Sequence, residues 1–198
     1  MMQLYVSGNS PYARRARLAV REGGLLHSVE EIMIRNFEQL NDAGPGAKVP
    51  ILICDDGTSL CESLIITRYL NTLADGQLLP GEGGALLCCL EVESVASVLM
   101  DSLFVRSMEN NRREESQRSI ELLDREIARS KRCYDRLEEL LDASDHQVSL
   151  ASITVICALG YANWRAAEDH WPKGRLNLTN YFEHFMARPA FAETAPVF

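Results

Sequence analysis

The sequence predicts an α+β protein in which a small mixed sheet with helices packed on it is followed by an all-helical region. Two observations predict this class. Short apolar strands alternate with helical patterns in the first 80 residues, whereas no strand signal follows them. The cluster from Pro80 to Gly84 breaks regular structure between the two regions. We therefore assign residues 1–80 to the first domain, 81–86 to a linker and 87–198 to a helical domain.

The first domain contains four strand signals and two helical patterns. Strands are predicted at 4–7, 29–34, 51–54 and 58–60, and helices at 11–23 and 62–73. The Gly23-Gly24 pair ends the first helix, and Asp56-Gly57 is a hairpin signal between the last two strands. Residues 35–48, which contain Gly44-Pro45-Gly46, are interpreted as irregular. The pattern predicts a mixed four-stranded sheet covered by helices.

The second domain shows helical periodicity throughout. Helices are predicted at 86–108, 113–141, 149–165 and 180–187. Pro189 is expected to end the last of them. Ser149 is the expected N-cap of the third helix, and Ser152 stands where a capping box more often has an acidic residue. We therefore expect a weaker reciprocal bond there.

Composition and charge exclude several classes of protein. The formal net charge of -8 argues against nucleic acid as a main partner. The six cysteines form no C-x-x-C pair and the four histidines lack metal-ligand spacing, so we expect neither a dithiol motif nor a metal. The longest apolar run, 150–162, is too short to cross a bilayer, and no secretion signal is evident. We expect a cytoplasmic protein that does not associate with a membrane.

The turn after the first strand carries the strongest functional signal. Ser10 has the chemistry of a helix N-cap, and Pro11 suits the first helical position. A hydroxyl and free backbone N–H groups therefore meet at the positive end of a helix, where an anion is stabilised. Serine at this place is also common as a simple cap.

Three short motifs together carry a family resemblance. They are Ser10-Pro11-Tyr12, Val49-Pro50 before an apolar strand, and Glu62-Ser63 at the start of a helix. In this order and spacing, followed by a helical second half, they resemble the glutathione transferase superfamily, in particular bacterial members with a Ser-Pro-aromatic turn. The resemblance covers nearly the whole chain. It implies a thioredoxin-like first domain, glutathione as co-substrate and a homodimer.

The resemblance implies a catalytic role for the turn. The hydroxyl of Ser10 would donate a hydrogen bond to the glutathione sulfur and stabilise the thiolate. Asn9, one residue earlier, is an alternative donor through its side-chain amide or its backbone.

The other two motifs resemble the segments that hold the peptide. Val49, before an expected cis Pro50, would pair with the backbone of glutathione as an added strand. Glu62 would accept from the ligand's ammonium group, and Ser63 would bind the γ-glutamyl carboxylate. Lys48 could reach the glycine carboxylate, although a solvated surface lysine fits the sequence equally well.

The electrophile pocket is expected between the two domains. Tyr12, Phe104, Met108 and Trp164 are candidates by position, but aromatic residues and methionines at helical spacing also build ordinary cores. Asp101 is a further candidate, since in some dimeric relatives an acidic residue there reaches the ligand of the neighbouring subunit.

The resemblance implies a detoxifying glutathione transferase in which the thiolate attacks a small hydrophobic electrophile. Two alternatives stay open. One is a glutathione-dependent oxidoreductase acting on disulfides or peroxides. The other is a non-catalytic binding or regulatory protein with the same fold, because a fold does not determine a function.

Overall fold

A four-stranded mixed sheet forms the first part of the molecule. The computed structural model describes residues 1–196, apart from the side chain of Phe37. The strands are β1 (Met2–Val6), β2 (Val29–Met33), β3 (Ile51–Ile53) and β4 (Ser59–Leu60). Their spatial order is β2-β1-β3-β4, with β2 parallel to β1 and with β3 and β4 added antiparallel. This confirms the predicted mixed sheet.

Eight α-helices complete the described part of the chain. They are α1 (Pro11–Glu22), α2 (Phe37–Ala43), α3 (Ser63–Leu73), α4 (Gly83–Arg112), α5 (Ile120–Leu140), α6 (Leu150–Arg165), α7 (Leu176–Met186) and α8 (Pro189–Glu193). Two short 3-10 turns lie at Glu115–Gln117 and Ala167–Asp169. Helices α1 and α3 pack against each other beside the sheet, while α4, α5 and α6 form the helical core. The α+β class with a thioredoxin-like first domain and a helical second part is confirmed.

The prediction of residues 35–48 as irregular is wrong for the stretch that forms α2. The side chain of Asn36 accepts the backbone N–H of Gln39 at 2.9 Å and caps the helix. Gly44 is the C-cap, so the Gly44-Pro45-Gly46 cluster follows the helix instead of preventing it. Short capped helices of this kind have too few turns to show a clear apolar period.

The helical boundaries also differ from the prediction. Helix α4 begins at Gly83, inside the segment predicted as a linker. The single helix predicted over 113–141 is wrong for residues 113–119, because α5 starts only after Ser119, whose side chain accepts the N–H of Leu122 at 3.2 Å. Helix α7 starts at Leu176, before the predicted residue 180, and Pro189 opens the additional helix α8.

The capping box of α6 forms fully. The N–H of Ser152 donates to the Ser149 hydroxyl at 3.1 Å, and the N–H of Ser149 donates to the Ser152 hydroxyl at 2.8 Å. The short serine side chain therefore reaches the N-cap amide at ordinary hydrogen-bond length. That this bond is weaker than one to an acidic residue stays a prediction.

A buried arginine joins α1 to the helical part. The guanidinium of Arg14 donates to the carbonyl oxygens of Ile156 and Phe191, at 3.3 and 2.9 Å. Gly160 on α6 leaves the room that this requires, since a Cβ there would lie 2.3 Å from Arg14 Nη1. Burial lowers the pKa of Arg14 below its usual value. These contacts hold the N-terminal end of α1, and therefore Ser10, against the second part of the chain.

Helix α4 is long and apolar enough, by length and composition, to cross a membrane, although the sequence analysis identified only the shorter run at 150–162. The same test is passed by core helices, and α4 packs extensively along α5 and α6.

Candidate functional site

One cavity collects all of the residues singled out in the sequence. Its volume is about 670 Å³, and it lies between the loops at one end of the sheet, the start of α1, and helices α4 and α6. The predicted residues that line it are Asn9, Ser10, Tyr12, Lys48, Val49, Pro50, Glu62, Ser63, Asp101, Phe104, Met108 and Trp164. Residues of the three sequence motifs and of helices α4 and α6 therefore line the same cavity.

Ser10 caps α1 and keeps its proton available. Its Oγ accepts the backbone N–H of Ala13 at 3.2 Å, and its carbonyl accepts the N–H of Arg14. The cap bond uses a lone pair of the hydroxyl oxygen, so the O–H can still donate to a ligand. Both interpretations of the sequence, the cap and the donor, are therefore compatible in one geometry.

Asn9 is the alternative to Ser10 as a hydrogen-bond donor to a ligand. It is exposed at the rim of the cavity, and its Oδ1 accepts the hydroxyl of Ser7 at 3.2 Å. This bond occupies the amide oxygen and leaves both N–H groups of the side chain free to donate.

The segment before β3 forms one wall of the cavity. The Val49–Pro50 peptide bond is cis, as expected from the sequence. The pairing of β3 with β1 ends at Ile51, so Val49 lies beyond the paired part of the strand. Lys48 is exposed at the same rim.

Glu62 and Ser63 also line the cavity, at the start of α3. Glu62 has a φ of 68°, in the left-handed region that is unfavourable for a residue with a side chain. Such conformations cost about 1–3 kcal/mol and are common at functional sites. The Glu62 side chain makes no cap bond to α3, whereas Ser63 is buried as the first helical residue. The geometry leaves the carboxylate of Glu62 free for a ligand.

Two pairs of aromatic residues also line the cavity. Tyr12 and Phe104 meet edge to face with ring centroids 5.7 Å apart, and Tyr161 and Trp164 do the same at 5.8 Å. The hydroxyl of Tyr12 donates to Asp101 Oδ1 at 2.7 Å. Burial, with a smaller contribution from this hydrogen bond, raises the pKa of Tyr12 well above its usual range. Tyr12 is therefore a neutral donor, and Asp101 contacts the site of its own chain.

Sequence reasoning missed several residues of the cavity. Those are Cys61, Val105, Tyr161, Arg112 and Arg165, together with smaller lining residues. Tyr161 lies one helical turn before both Trp164 and Arg165 on α6, so the spacing could have suggested Tyr161 from Trp164, and then Arg165 from Tyr161. No local signal distinguishes Arg112 from the other arginines near the end of α4. Within residues 1–196 no group of three His, Cys, Asp or Glu side chains could hold a metal ion.

Comparisons with known proteins agree with this geometry. A sequence model described as "Glutathione S-transferase, N-terminal domain" matches residues 9–73. YibF, an uncharacterized GST-like protein of Escherichia coli K12, is 30% identical over 200 residues, covering 98% of both chains.

Several solved structures resemble the whole chain, among them the following two. A glutathione S-transferase from Methylobacillus flagellatus KT, solved with GSH bound, is 29% identical, with a TM-score of 0.89 over 100% of both chains. A glutathione transferase family member from Pseudomonas fluorescens Pf-5, solved with bound glutathione, is 26% identical, with a TM-score of 0.91 and the same coverage.

Proposed function

This chain belongs to the glutathione S-transferase superfamily, and on this basis we propose that it binds glutathione and joins it, through its sulfur, to a small electrophile. The observation that carries the proposal is the position of Ser10. Its hydroxyl lies at the N-terminal end of α1, and Ser10 lines a cavity that is lined both by polar motif residues and by four aromatic residues. One side of the cavity can hold a peptide and the other a small apolar partner.

The chemical task of the site is to ionise a thiol. A free thiol has a pKa near 8.5, so only about 3% is thiolate at pH 7. A hydroxyl donor and a helix N-terminus both stabilise the thiolate over the thiol, and sites of this kind lower a thiol pKa by about 1–2 units or more. Ser10 supplies both, with Asn9 as the alternative donor. The thiol proton leaves to water, and the thiolate attacks the electrophile held beside it.

The remaining polar residues hold the peptide. Val49 offers its unpaired backbone to the cysteine residue of glutathione, and Ser63 offers its hydroxyl and N–H to the γ-glutamyl carboxylate. Glu62 accepts from the ammonium group, and Lys48 pairs with the glycine carboxylate. Their exposed or uncapped side chains support these roles.

We also propose a cytoplasmic homodimer with a detoxifying role. Apolar side chains on α3 and α4 support an isologous interface, since Ile65 and Leu87 are 56% and 69% exposed. All six cysteines are unpaired, which suits a reducing compartment in which glutathione is abundant. Light scattering on the purified chain would give the mass of the assembly.

The experiment that tests the function combines binding, ionisation and turnover. Calorimetry measures glutathione affinity, thiolate absorbance across pH measures the thiol pKa of the complex, and 1-chloro-2,4-dinitrobenzene reports conjugation. We expect micromolar to millimolar binding, a depressed pKa and measurable conjugation. Absence of glutathione binding would refute both the transferase and the oxidoreductase hypotheses. The chain would then be a non-catalytic member of the superfamily.

Model substrates separate transfer from redox chemistry. Reduction of a model disulfide or peroxide, with no conjugation of aryl halides, would assign the site to an oxidoreductase. The Ser63→Ala variant, which alters only the expected carboxylate contact, should weaken glutathione binding and leave the thiol pKa of the bound fraction unchanged.

A further inference from the structure

Two arginines in the cavity are unaccounted for by glutathione. This step rests on the proposed function, in which Lys48 and Ser63 hold the two carboxylates of the peptide and Glu62 holds its ammonium group. Arg112 and Arg165 also line the cavity. Among residues 1–196 neither has a carboxylate within ion-pair distance.

Arg165 is positioned by an aromatic ring. Its guanidinium carbon lies 3.6 Å from the centroid of the Trp164 ring, in cation–π geometry. Its Nε is buried and has no hydrogen-bond partner in the described part of the chain. The stacking holds the planar group in place, which reduces the conformational entropy lost when it binds an anion. A guanidinium so placed can form paired hydrogen bonds to a carboxylate.

Arg112 lies at the C-terminal end of α4, well separated along the helix from Asp101. Asp101, Phe104, Met108 and Arg112 follow one another on α4 at spacings of three or four residues, so they share a face of the helix. Asp101 and Arg112 are eleven residues apart, which is about 16 Å of helix rise. The negative charge of Asp101, already bonded to Tyr12, is therefore distant from this end.

The helix dipole alone does not explain this arrangement. Arg112 and Arg165 are each the last residue of a helix, where a cation is favoured by a few tenths of a kcal/mol up to about 1 kcal/mol. Any exposed position in the last turn would satisfy that preference. Here both side chains instead line one cavity whose walls are the Tyr12–Phe104 and Tyr161–Trp164 ring pairs.

We propose that the second ligand of this cavity carries a carboxylate, which Arg112 and Arg165 bind, on an aromatic body held between the ring pairs. The electrophile is thus an aromatic acid and not a purely hydrophobic molecule. The reaction itself is unchanged. The thiolate forms a carbon–sulfur bond, the bond from that carbon to the leaving group breaks, and the leaving group departs with the electron pair.

A matched pair of substrates isolates the charge. 4-(Bromomethyl)benzoate and its methyl ester have the same benzylic carbon and bromide leaving group, and differ in the carboxylate. We expect kcat/KM, divided by the uncatalysed rate, to favour the acid about tenfold, the advantage of one charge-assisted contact. Affinities for the two product conjugates, measured by calorimetry, should show the same preference without depending on turnover.

Substitution of the arginines gives the decisive comparison. Arg112→Met with Arg165→Met should reduce the preference for the acid to within about twofold of the ester. Arg112→Met alone, at an exposed position, should reduce this preference in part. The single variant keeps the proposal testable even if the double variant does not fold. Arg113→Met is the matched control, since Arg113 follows Arg112 but pairs with Glu109 and does not line the cavity. It should keep the full preference.

The outcomes separate this inference from the proposed function. Turnover of both substrates with no preference for the acid, in rates and in conjugate affinities, would overturn the carboxylate site and leave the transferase intact. Conjugate affinities that favour the acid and depend on the arginines, without turnover, would support the site and refute the transferase.

Glutathione is another source of carboxylates. If a second glutathione molecule is the natural occupant, calorimetry will find two molecules bound per wild-type chain and one per double variant. That result would support the carboxylate site and assign it to a second peptide instead of an aromatic acid. One molecule bound by both proteins, with the acid preference present, would assign it to the electrophile.

Discussion

The two roles of Ser10 can be separated by substitution. Ser10→Ala removes the cap bond to the N–H of Ala13. It also removes the hydroxyl that we propose donates to the glutathione sulfur. Losing a cap costs about 1 kcal/mol, which lowers the melting temperature of a chain of this size by about 2–4 °C. Losing a hydrogen bond to a charged group costs about 1.5–3 kcal/mol, which corresponds to a rise of about 1–2 units in the pKa of bound glutathione.

Two further variants isolate each role. Ser119 caps α5 with the same 3.2 Å bond but lies outside the cavity, so Ser119→Ala should lower stability alone. Glycine is nearly as good a cap as serine, so Ser10→Gly should lose only a few tenths of a kcal/mol of stability, yet raise the thiol pKa as Ser10→Ala does.

Thermal unfolding without glutathione and thiolate absorbance with saturating glutathione measure the two effects. At pH 7 a pKa higher by one unit should reduce the thiolate fraction, and with it the conjugation rate, by up to about tenfold. A thiol pKa that is the same in wild type, Ser10→Ala and Ser10→Gly would refute the reasoning. The donor would then be Asn9 or a backbone amide.

Three predictions concern the scaffold and are measured by urea unfolding. Gly160→Ala should cost about 2 kcal/mol, because the new methyl group displaces the buried arginine of α1. Gly84→Ala, where a Cβ meets nothing, should change stability by less than about 0.5 kcal/mol, and equal effects would contradict the packing argument. Asp169→Asn should cost about 3 kcal/mol, since the Arg106 guanidinium, 3% exposed, donates two 2.7 Å bonds to that carboxylate. A cost below about 1 kcal/mol would show that Glu168, which also pairs with Arg106, compensates for the lost charge of Asp169. Burial raises the pKa of the Cys157 thiol from 9.0 to about 11, so folding favours the neutral thiol. Its contribution is complete below pH 9 and is lost as the pH rises towards 11, by about 3 kcal/mol in all. Between pH 9 and pH 11 the Cys157→Ala variant should therefore lose less unfolding free energy than wild type. If the two proteins show the same dependence of unfolding free energy on pH, the raised pKa of Cys157 is contradicted.

Local signals in the sequence identified much of the site. Ser10 with Pro11 predicted the start of α1, and the structure places the cap bond there. Val49-Pro50 and Glu62-Ser63 were likewise recognised as short motifs, and both line the cavity. Each of these features depends on backbone hydrogen bonds and turns within a few residues, so neighbouring residue types are sufficient to predict it.

Other elements could not be predicted from neighbouring residues. Helix α2 has seven residues, too few for a periodic pattern, and depends on its Asn36 cap. The start of α5 at Ile120 was missed because helical periodicity continues on both sides of the break. In both cases caps at the ends, and not the apolar period, decide where the helix lies.

The fold class, the strand-turn-helix that presents Ser10 and the two other short motifs of the cavity were evident from the sequence, because they follow from local backbone chemistry. The tertiary structure decided the second half of the site. It joined Tyr12 to Asp101, 89 residues away, and it brought Arg112 and Arg165 to one aromatic cavity. These contacts depend on how α1, α4 and α6 pack against one another. Packing between residues far apart in sequence produces no local sequence pattern from which it could be predicted.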